Sequence, residues 1–225
     1  MNNRVSTAAN TADLRIGRDS TAPLYPSIFK RLFDIFLSVL LLPILLPIIA
    51  ILYVVVRSDG GPGFFGHSRV GRNGRMFKCW KVRTMVVDAQ ERLDALLASD
   101  AQARAEWDRD RKLRNDPRVT RVGNFLRKSS LDELPQIFNV LKGEMSLVGP
   151  RPITEAELER YGSQQAVYLA MRPGVTGLWQ VSGRNEVTYN ERVSMDSTYY
   201  NSVSLGTDLR ILAKTADAVL SKTGC

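Results

Sequence analysis

Leu32–Val56 reads LFDIFLSVLLLPILLPIIAILYVVV, and the placement of this stretch decides the fold. No residue from Val39 to Val56 is charged. As a straight helix at ~1.5 Å per residue, that run covers roughly 27 Å, close to the ~30 Å of a hydrocarbon core. Pro43 and Pro47 stand four apart, so both missing N–H donors fall on one side of the helix. Spanning helices tolerate proline, so the pair does not exclude a span. Lys30 and Arg31 precede the stretch and Arg57 follows it, and positive flanks favour the cytoplasmic side. Basic flanks at both ends fit a bent, re-entrant helix that enters and leaves by one face. A true span and a buried helix of a soluble domain are the alternatives. The stretch is not a secretory signal, because it starts late and no small-residue cleavage site follows. Lys30 and Asp34 stand at i,i+4, which gives this region's acid a partner.

Around this segment lie 225 residues with 44% apolar content, enough for a core and against global disorder. The formal net charge is +8 and is unevenly placed. Arg57, Arg69, Arg72, Arg75, Lys78, Lys81 and Arg83 face a single acid, Asp59, over residues 57–83. Such a face serves nucleic acid, anionic lipid or a phosphorylated substrate. It lacks the spaced aromatics of a single-strand platform, which argues against nucleic acid. Cys79 and Cys225 are too few for a disulfide scaffold, and a reducing cytosol is the better expectation. One histidine, His67, argues against both a zinc site and a histidine-activated nucleophile.

The remaining chain reads as mainly α with a small β-hairpin or sheet. Residues 1–27 are polar and aperiodic and are expected to form a mobile arm. Residues 64–70 and 75–83 read as strands joined through Gly71-Arg72-Asn73-Gly74, where Asn-Gly signals a hairpin. Helices are predicted over 88–113, from about Leu131 to Lys142, over 155–171 and over 206–221. Strands and helices do not alternate often enough for a doubly wound sheet.

Two motifs are decoys on this reading. Gly61-Pro-Gly63-Phe-Phe-Gly66 matches G-x-G-x-x-G, but that fingerprint needs a strand before it and a helix after it. Here an apolar helix precedes and a hairpin follows. Asp108-Arg109-Asp110 resembles the Asp-x-Asp of sugar-nucleotide enzymes, but it falls in a charge-alternating helix whose ordinary reading is a solvated face.

The chemistry gathers in Leu131–Pro152, LDELPQIFNVLKGEMSLVGPRP. Asp132 and Glu133 open an amphipathic helix. Its start has two readings: a Ser130–Glu133 capping box, or Asp132 as the cap with Pro135 in the first turn. Either puts Asp132 at the positive end of a helix, which favours ionised groups and phosphate. Consecutive helical residues point ~100° apart, so one acid can ligate a metal while the other attacks. An ordinary cap with a solvated acid would explain the pair in isolation. Arg127, Lys128 and Arg151 change that balance, the last held in a Pro-Arg-Pro bend as a ready phosphate clamp.

Four segments then carry a resemblance: FKCWKVRTM, NDPRVTRVGNFLRKSSLDELPQIFNVLKGEMSLVGPRP, RPGVTGLWQVSGRN and DSTYY. Together they resemble the bacterial sugar transferases, the monotopic phosphoglycosyl transferases, over roughly residues 28–221. SDGGPGFFGH and TGLWQVSGRN carry a finer likeness to the members that move galactose 1-phosphate to undecaprenyl phosphate and so begin exopolysaccharide synthesis. The resemblance implies transfer of a sugar 1-phosphate from a UDP-sugar to a polyprenyl phosphate with release of UMP. It implies Asp132 as nucleophile, through a phosphosugar-aspartate, and Glu133 as the ligand of Mg2+. It further implies Lys81, Arg127 and Arg151 as phosphate-side residues, and Arg172 with the Thr176–Gln180 turn at the nucleotide end. Asp196 matches another acid of the family pattern. The implied architecture is a re-entrant membrane helix over 28–57, bent at Pro43 and Pro47, with amphipathic interfacial helices and a compact catalytic domain over 58–225. The implied location is the cytoplasmic face of the bacterial inner membrane, against anionic lipid, with homo-oligomerisation left open.

The chain also departs from the family pattern. The hairpin bend usually carries Ser-Pro, and here reads Leu46-Pro47. The turn reads Gly177-Leu-Trp-Gln where Gly-Trp-Ala-Gln is commoner. Larger relatives add a multi-spanning N-terminal region without counterpart in these residues. Glucose is the main rival sugar, and a non-catalytic basic module that binds the membrane is the reading from a different class.

Overall fold

The computed structural model describes residues 25–110, 113–182 and 187–220. The arm expected over 1–27 lies outside these residues up to position 24. Its last residues belong instead to a π-helical turn, Tyr25–Phe29, that runs straight into helix α1, Lys30–Arg57.

Helix α1 continues through both prolines. The segment expected over 28–57, with its bend at Pro43 and Pro47, is helical without a break from Lys30 to Arg57. The prolines lie on its exposed face, so neither missing donor removes a hydrogen bond from the core. Asp34, Ser38, Ile49 and Val56 are buried on the opposite face. Leu42, Leu45 and Leu52 fill the steps between them, at the three- and four-residue spacing of a helical stripe. Phe36, Leu40, Ile44, Ile51 and Val54 point away from the domain and are exposed.

Both ends of α1 dock on one body. At the start, Arg31 donates to the carbonyls of Val140 and Leu141 at 2.6 and 2.9 Å. One turn on, the buried Asp34 carboxylate accepts from the Leu147 N–H at 3.0 Å and the Ser146 hydroxyl at 3.1 Å. At the far end, Arg83 donates to the Val56 carbonyl at 3.1 Å, and the rings of Tyr53 and Phe64 meet at 5.0 Å.

The predicted hairpin forms as β1, Phe64–Val70, and β2, Met76–Val82, in antiparallel register from Phe64↔Val82 to Val70↔Met76. Asn73 and Gly74 turn it at φ 58° and 74°, the left-handed region that made Asn-Gly informative. The G-x-G-x-x-G match lies where α1 leaves into β1, so no helix follows it.

Three predicted helices are divided. The span 88–113 is α2, Ala89–Ser99, and α3, Ala101–Asp110. Asp100 is extended between them, and its carboxylate accepts from the N–H groups of Gln102 and Ala103. A side chain that caps this well starts a new helix instead of continuing the old one. Next comes α4, Arg121–Ser129, capped by Thr120 on the Gly123 N–H at 2.8 Å. The helix expected from Leu131 is a 3-10 turn, Leu131–Glu133, followed by α5, Gln136–Lys142. Neither proposed cap forms: Ser130 is left-handed at φ 57° and closes α4, while Pro135 occupies the cap of α5. Pro135 has no N–H to continue an α ladder, so the chain tightens before it. The third division falls in 155–171, which becomes α6, Glu155–Glu159, and α7, Gln165–Ala170, parted at Gly162 with φ 51°.

Two short strands complete the frame: β3, Ser146–Val148, runs parallel to β4, Gly174–Thr176. Beyond them lie α8, Leu178–Ser182, α9, Tyr189–Ser202, and α10, Leu205–Leu220. Helix α9 was not predicted, although Thr188 and Glu191 form a capping box before it. The main core gathers Ile49 of α1, Phe77 of β2, Val140 of α5, Val148 of β3 and Ile211 of α10.

Candidate active site

A polar cleft opens where β2, the 3-10 turn, the end of β3 and α8 converge. Strand β2 brings Lys81, the turn brings Glu133, the Pro-Arg-Pro bend brings Arg151, and α8 brings Gln180, with Asp132 beside this lining, next to Lys81. Lys81 Nζ lies 2.5 Å from Glu133 Oε1 and 3.7 Å from Asp132 Oδ2. One ammonium therefore stands between both acids.

The two carboxyls are driven apart electrostatically. Burial raises the pKa of Asp132, and Glu133 adds to this, against the opposing pull of Lys81 and Arg127. Burial also pushes Glu133 upward. Lys81, Arg151 and a hydrogen bond from Gln136 together outweigh it and hold Glu133 below the usual carboxylate range. A carboxyl kept ionised suits a cation, while a desolvated one suits attack.

The basic rim is built on second contacts. Arg127 is held by its Nε donating to Thr84 Oγ1 at 2.9 Å. Arg69 pairs with Glu157 at 3.1 Å while lining the cleft. The guanidinium of Arg151 lies 5.9 Å from the Trp179 ring centre, and that of Arg192 lies 4.6 Å from the same ring. Gln180 Oε1 is buried without a hydrogen-bond partner among the described residues, an acceptor left for a ligand.

Lys81, Asp132, Glu133, Arg151 and Gln180 thus come together, with Arg127 close enough to act on Asp132. Arg172 does not join them: its Nε donates to the Gly143 carbonyl at 2.9 Å, in a different cavity. Thr176 is buried in β4 with its hydroxyl 2.8 Å from that of Thr215. Asp196 is buried in α9 and accepts from the Tyr161 hydroxyl at 2.7 Å, away from the cleft. Arg69 and Gln136 were not singled out from sequence. Arg69 was one of seven cations in the 57–83 run, and only pairing with β2 brings it to the cleft.

Among the described residues no group of three or more His, Cys, Asp or Glu could hold a metal ion. That does not oppose magnesium, which commonly takes one or two carboxylates and completes its shell with water and substrate phosphates. Glu133, held below the usual carboxylate range, fits that pattern.

A model of the family described as bacterial sugar transferase matches residues 25–222. The chain belongs to this family. It is 57% identical over 195 residues to an undecaprenyl-phosphate galactose phosphotransferase of Salmonella typhimurium, covering 87% of this chain and 41% of that one. It is 55% identical over 195 residues to a UDP-galactose-lipid carrier transferase of Erwinia amylovora, with coverage of 87% and 41%. It is 51% identical over 196 residues to the exopolysaccharide production protein ExoY of Rhizobium meliloti, with 87% of both chains covered. The chain therefore spans under half the length of the Salmonella and Erwinia proteins and most of the Rhizobium one.

Proposed function

We propose that this transferase moves galactose 1-phosphate from UDP-galactose to undecaprenyl phosphate in exopolysaccharide synthesis. The observation that carries the reaction class is the Lys81–Asp132–Glu133 arrangement, two acids made unequal by one cation and faced by Arg151. The sugar rests on the galactose in two relatives' names.

In the proposed reaction an Asp132 oxygen attacks the sugar-bearing phosphorus. The P–O bond to the UMP phosphate breaks, and UMP leaves with that electron pair. An oxygen of the lipid phosphate then attacks the same phosphorus, and the Asp132–phosphorus bond breaks. Dividing the transfer lets two bulky substrates use one site in turn. Arg151 and Arg127 offset charge on the donor phosphates, and Lys81 pulls the Asp132 pKa down against the larger effect of its burial. Glu133 would hold Mg2+, which would neutralise phosphate charge.

The architecture supports a site held at a membrane surface. A span that placed its ends on opposite sides of a bilayer could not dock both on one domain, as α1 does. Its exposed apolar face and basic flanks support re-entry from the cytoplasmic side. Helix α4, which leads directly into Asp132, exposes Val122 and Phe125 between Arg121 and Lys128, a pattern suited to lying in the interface.

Incubation with undecaprenyl phosphate and a panel of UDP-sugars tests the reading. UMP release with UDP-galactose is expected. Release of UDP would refute it, and a preference for UDP-glucose would reassign the sugar. Cysteines introduced near Thr7 and in the catalytic domain should label from the same side of sealed vesicles. Opposite sides would overturn re-entry.

A further inference from the structure

A second cavity, of about 250 Å³, lies at the foot of α1 and shares no lining residue with the Asp132 cleft. The β3–β4 pair separates the two. Ser146 and Val148 turn toward this cavity, while Val175, one step out of phase on the neighbouring strand, turns toward the cleft.

Its wall is strongly basic. Lys30, Arg31, Arg72 and Arg172 line it against one acid, Asp34. Lys30 is paired with Asp208 at 2.6 Å, and Arg31 engages both terminal nitrogens on α5 carbonyls. Arg172 differs. Its Nε is fixed on Gly143, and its two terminal nitrogens have no protein partner among the described residues. A guanidinium fixed at one edge with its fork unengaged is preorganised for a phosphate. Burial, then the neighbouring Arg31 charge, lowers the pKa of Arg172, a strain that a bound anion would relieve.

Position and size narrow the ligand. Ile28, Phe29 and Leu32, exposed beside this foot, begin the apolar face of α1. The volume is below the ~300 Å³ at which sites for drug-sized ligands begin, so it suits a headgroup and not a nucleotide sugar. The acceptor phosphate must reach Asp132 and so cannot react from here.

We propose that this cavity is a separate phosphate-binding site that ties the foot of α1 to the catalytic domain. The phosphate is lipid-borne or free. This inference does not depend on the transfer reaction.

The test uses full-length protein in phosphatidylcholine nanodiscs with and without phosphatidylglycerol. After detergent extraction and washing, retained phosphatidylglycerol is counted by mass spectrometry. In parallel, thermal midpoints are compared in inorganic phosphate and in chloride at matched ionic strength. Near-stoichiometric lipid on the wild type, reduced at least tenfold in Arg172→Gln and reduced also in Arg172→Lys, which lacks the fork, establishes a lipid headgroup. A phosphate-specific midpoint shift without retained lipid, lost in Arg172→Gln, establishes a free anion. Ala170→Phe fills the cavity without touching its charges and should abolish either signal. Neither signal in the wild type, or a signal that survives both Arg172→Gln and Ala170→Phe, overturns the proposal.

Discussion

Lys81 donates to Glu133 across 2.5 Å yet stops 3.7 Å short of Asp132. This asymmetry assigns different work to adjacent acids. Glu133 is the better-compensated charge, and Asp132 is the costlier one to keep ionised.

Asp132→Asn should therefore abolish UMP release while stabilising the fold at neutral pH. Burial raises the folded pKa of Asp132, so the folded chain holds this proton more tightly than the unfolded chain does. The linked stability is complete below the ordinary carboxylate pKa of about 4 and is lost as pH rises through the folded value. Asparagine removes that loss. Melting curves should show the variant ahead of the wild type at pH 7 and the gap closing toward pH 4. A variant that melts lower at pH 7 would contradict this account of the site.

Lys81→Met takes the shared cation from both acids. Turnover at neutral pH should fall at least tenfold, which is about 1.4 kcal/mol of barrier. The acid limb of the pH–rate profile should move to higher pH, because Asp132 then ionises later. Lys81→Arg should recover part of the loss. An unmoved acid limb would mean that Lys81 binds substrate without tuning Asp132.

Gly123 sets how closely α4 approaches Thr84, just beyond the end of β2. A Cβ at this position would lie 2.0 Å from the Thr84 carbonyl oxygen. Gly123→Ala must push α4 outward, straining the Arg127–Thr84 hydrogen bond and moving the turn that carries Asp132. Overpacking of this kind costs about 1–3 kcal/mol. Urea unfolding should show the loss, and UMP release should fall with it. Full activity at reduced stability would show that the site tolerates displacement of α4.

The legible parts of this chain were those in which short-range signals agree. The β1–β2 hairpin follows from Asn73-Gly74 between two alternating runs, and the apolar α1 follows from its composition. The acids, Lys81, Arg151 and Gln180 could be singled out because they fall within recognisable motifs. Helix ends were less legible, because a local cap competes with the period. Asp100 and Gly162 each divide a pattern that reads as continuous, and Pro135 delays a helix expected to start at Leu131. Helix α9 escaped because its polar run, Tyr189–Ser202, lacks an apolar stripe, although its Thr188–Glu191 box stands in the sequence. Arg172 was placed at the nucleotide end by motif alone. The pairing of β3 with β4 puts it on the other side of the ribbon, a long-range fact without a local signature.

Asp196 offers a separate readout of the fold around the site. Burial pushes its pKa up to about 7, with the Tyr161 hydroxyl pulling the other way. A carboxyl with a raised folded pKa contributes stability that is full below its unfolded value, about 4, and fades as pH rises to about 7. Each unit across that window should lower unfolding free energy by about 1.4 kcal/mol, with roughly 4 kcal/mol as the upper bound for the whole shift. Asp196→Asn keeps a neutral acceptor for Tyr161 and removes the titration. Urea unfolding of the wild type should weaken from pH 4.5 to pH 7, and the variant should show a flatter profile with its advantage greatest at pH 7. Equal slopes for the two proteins would mean that burial does not raise the Asp196 pKa in the fold.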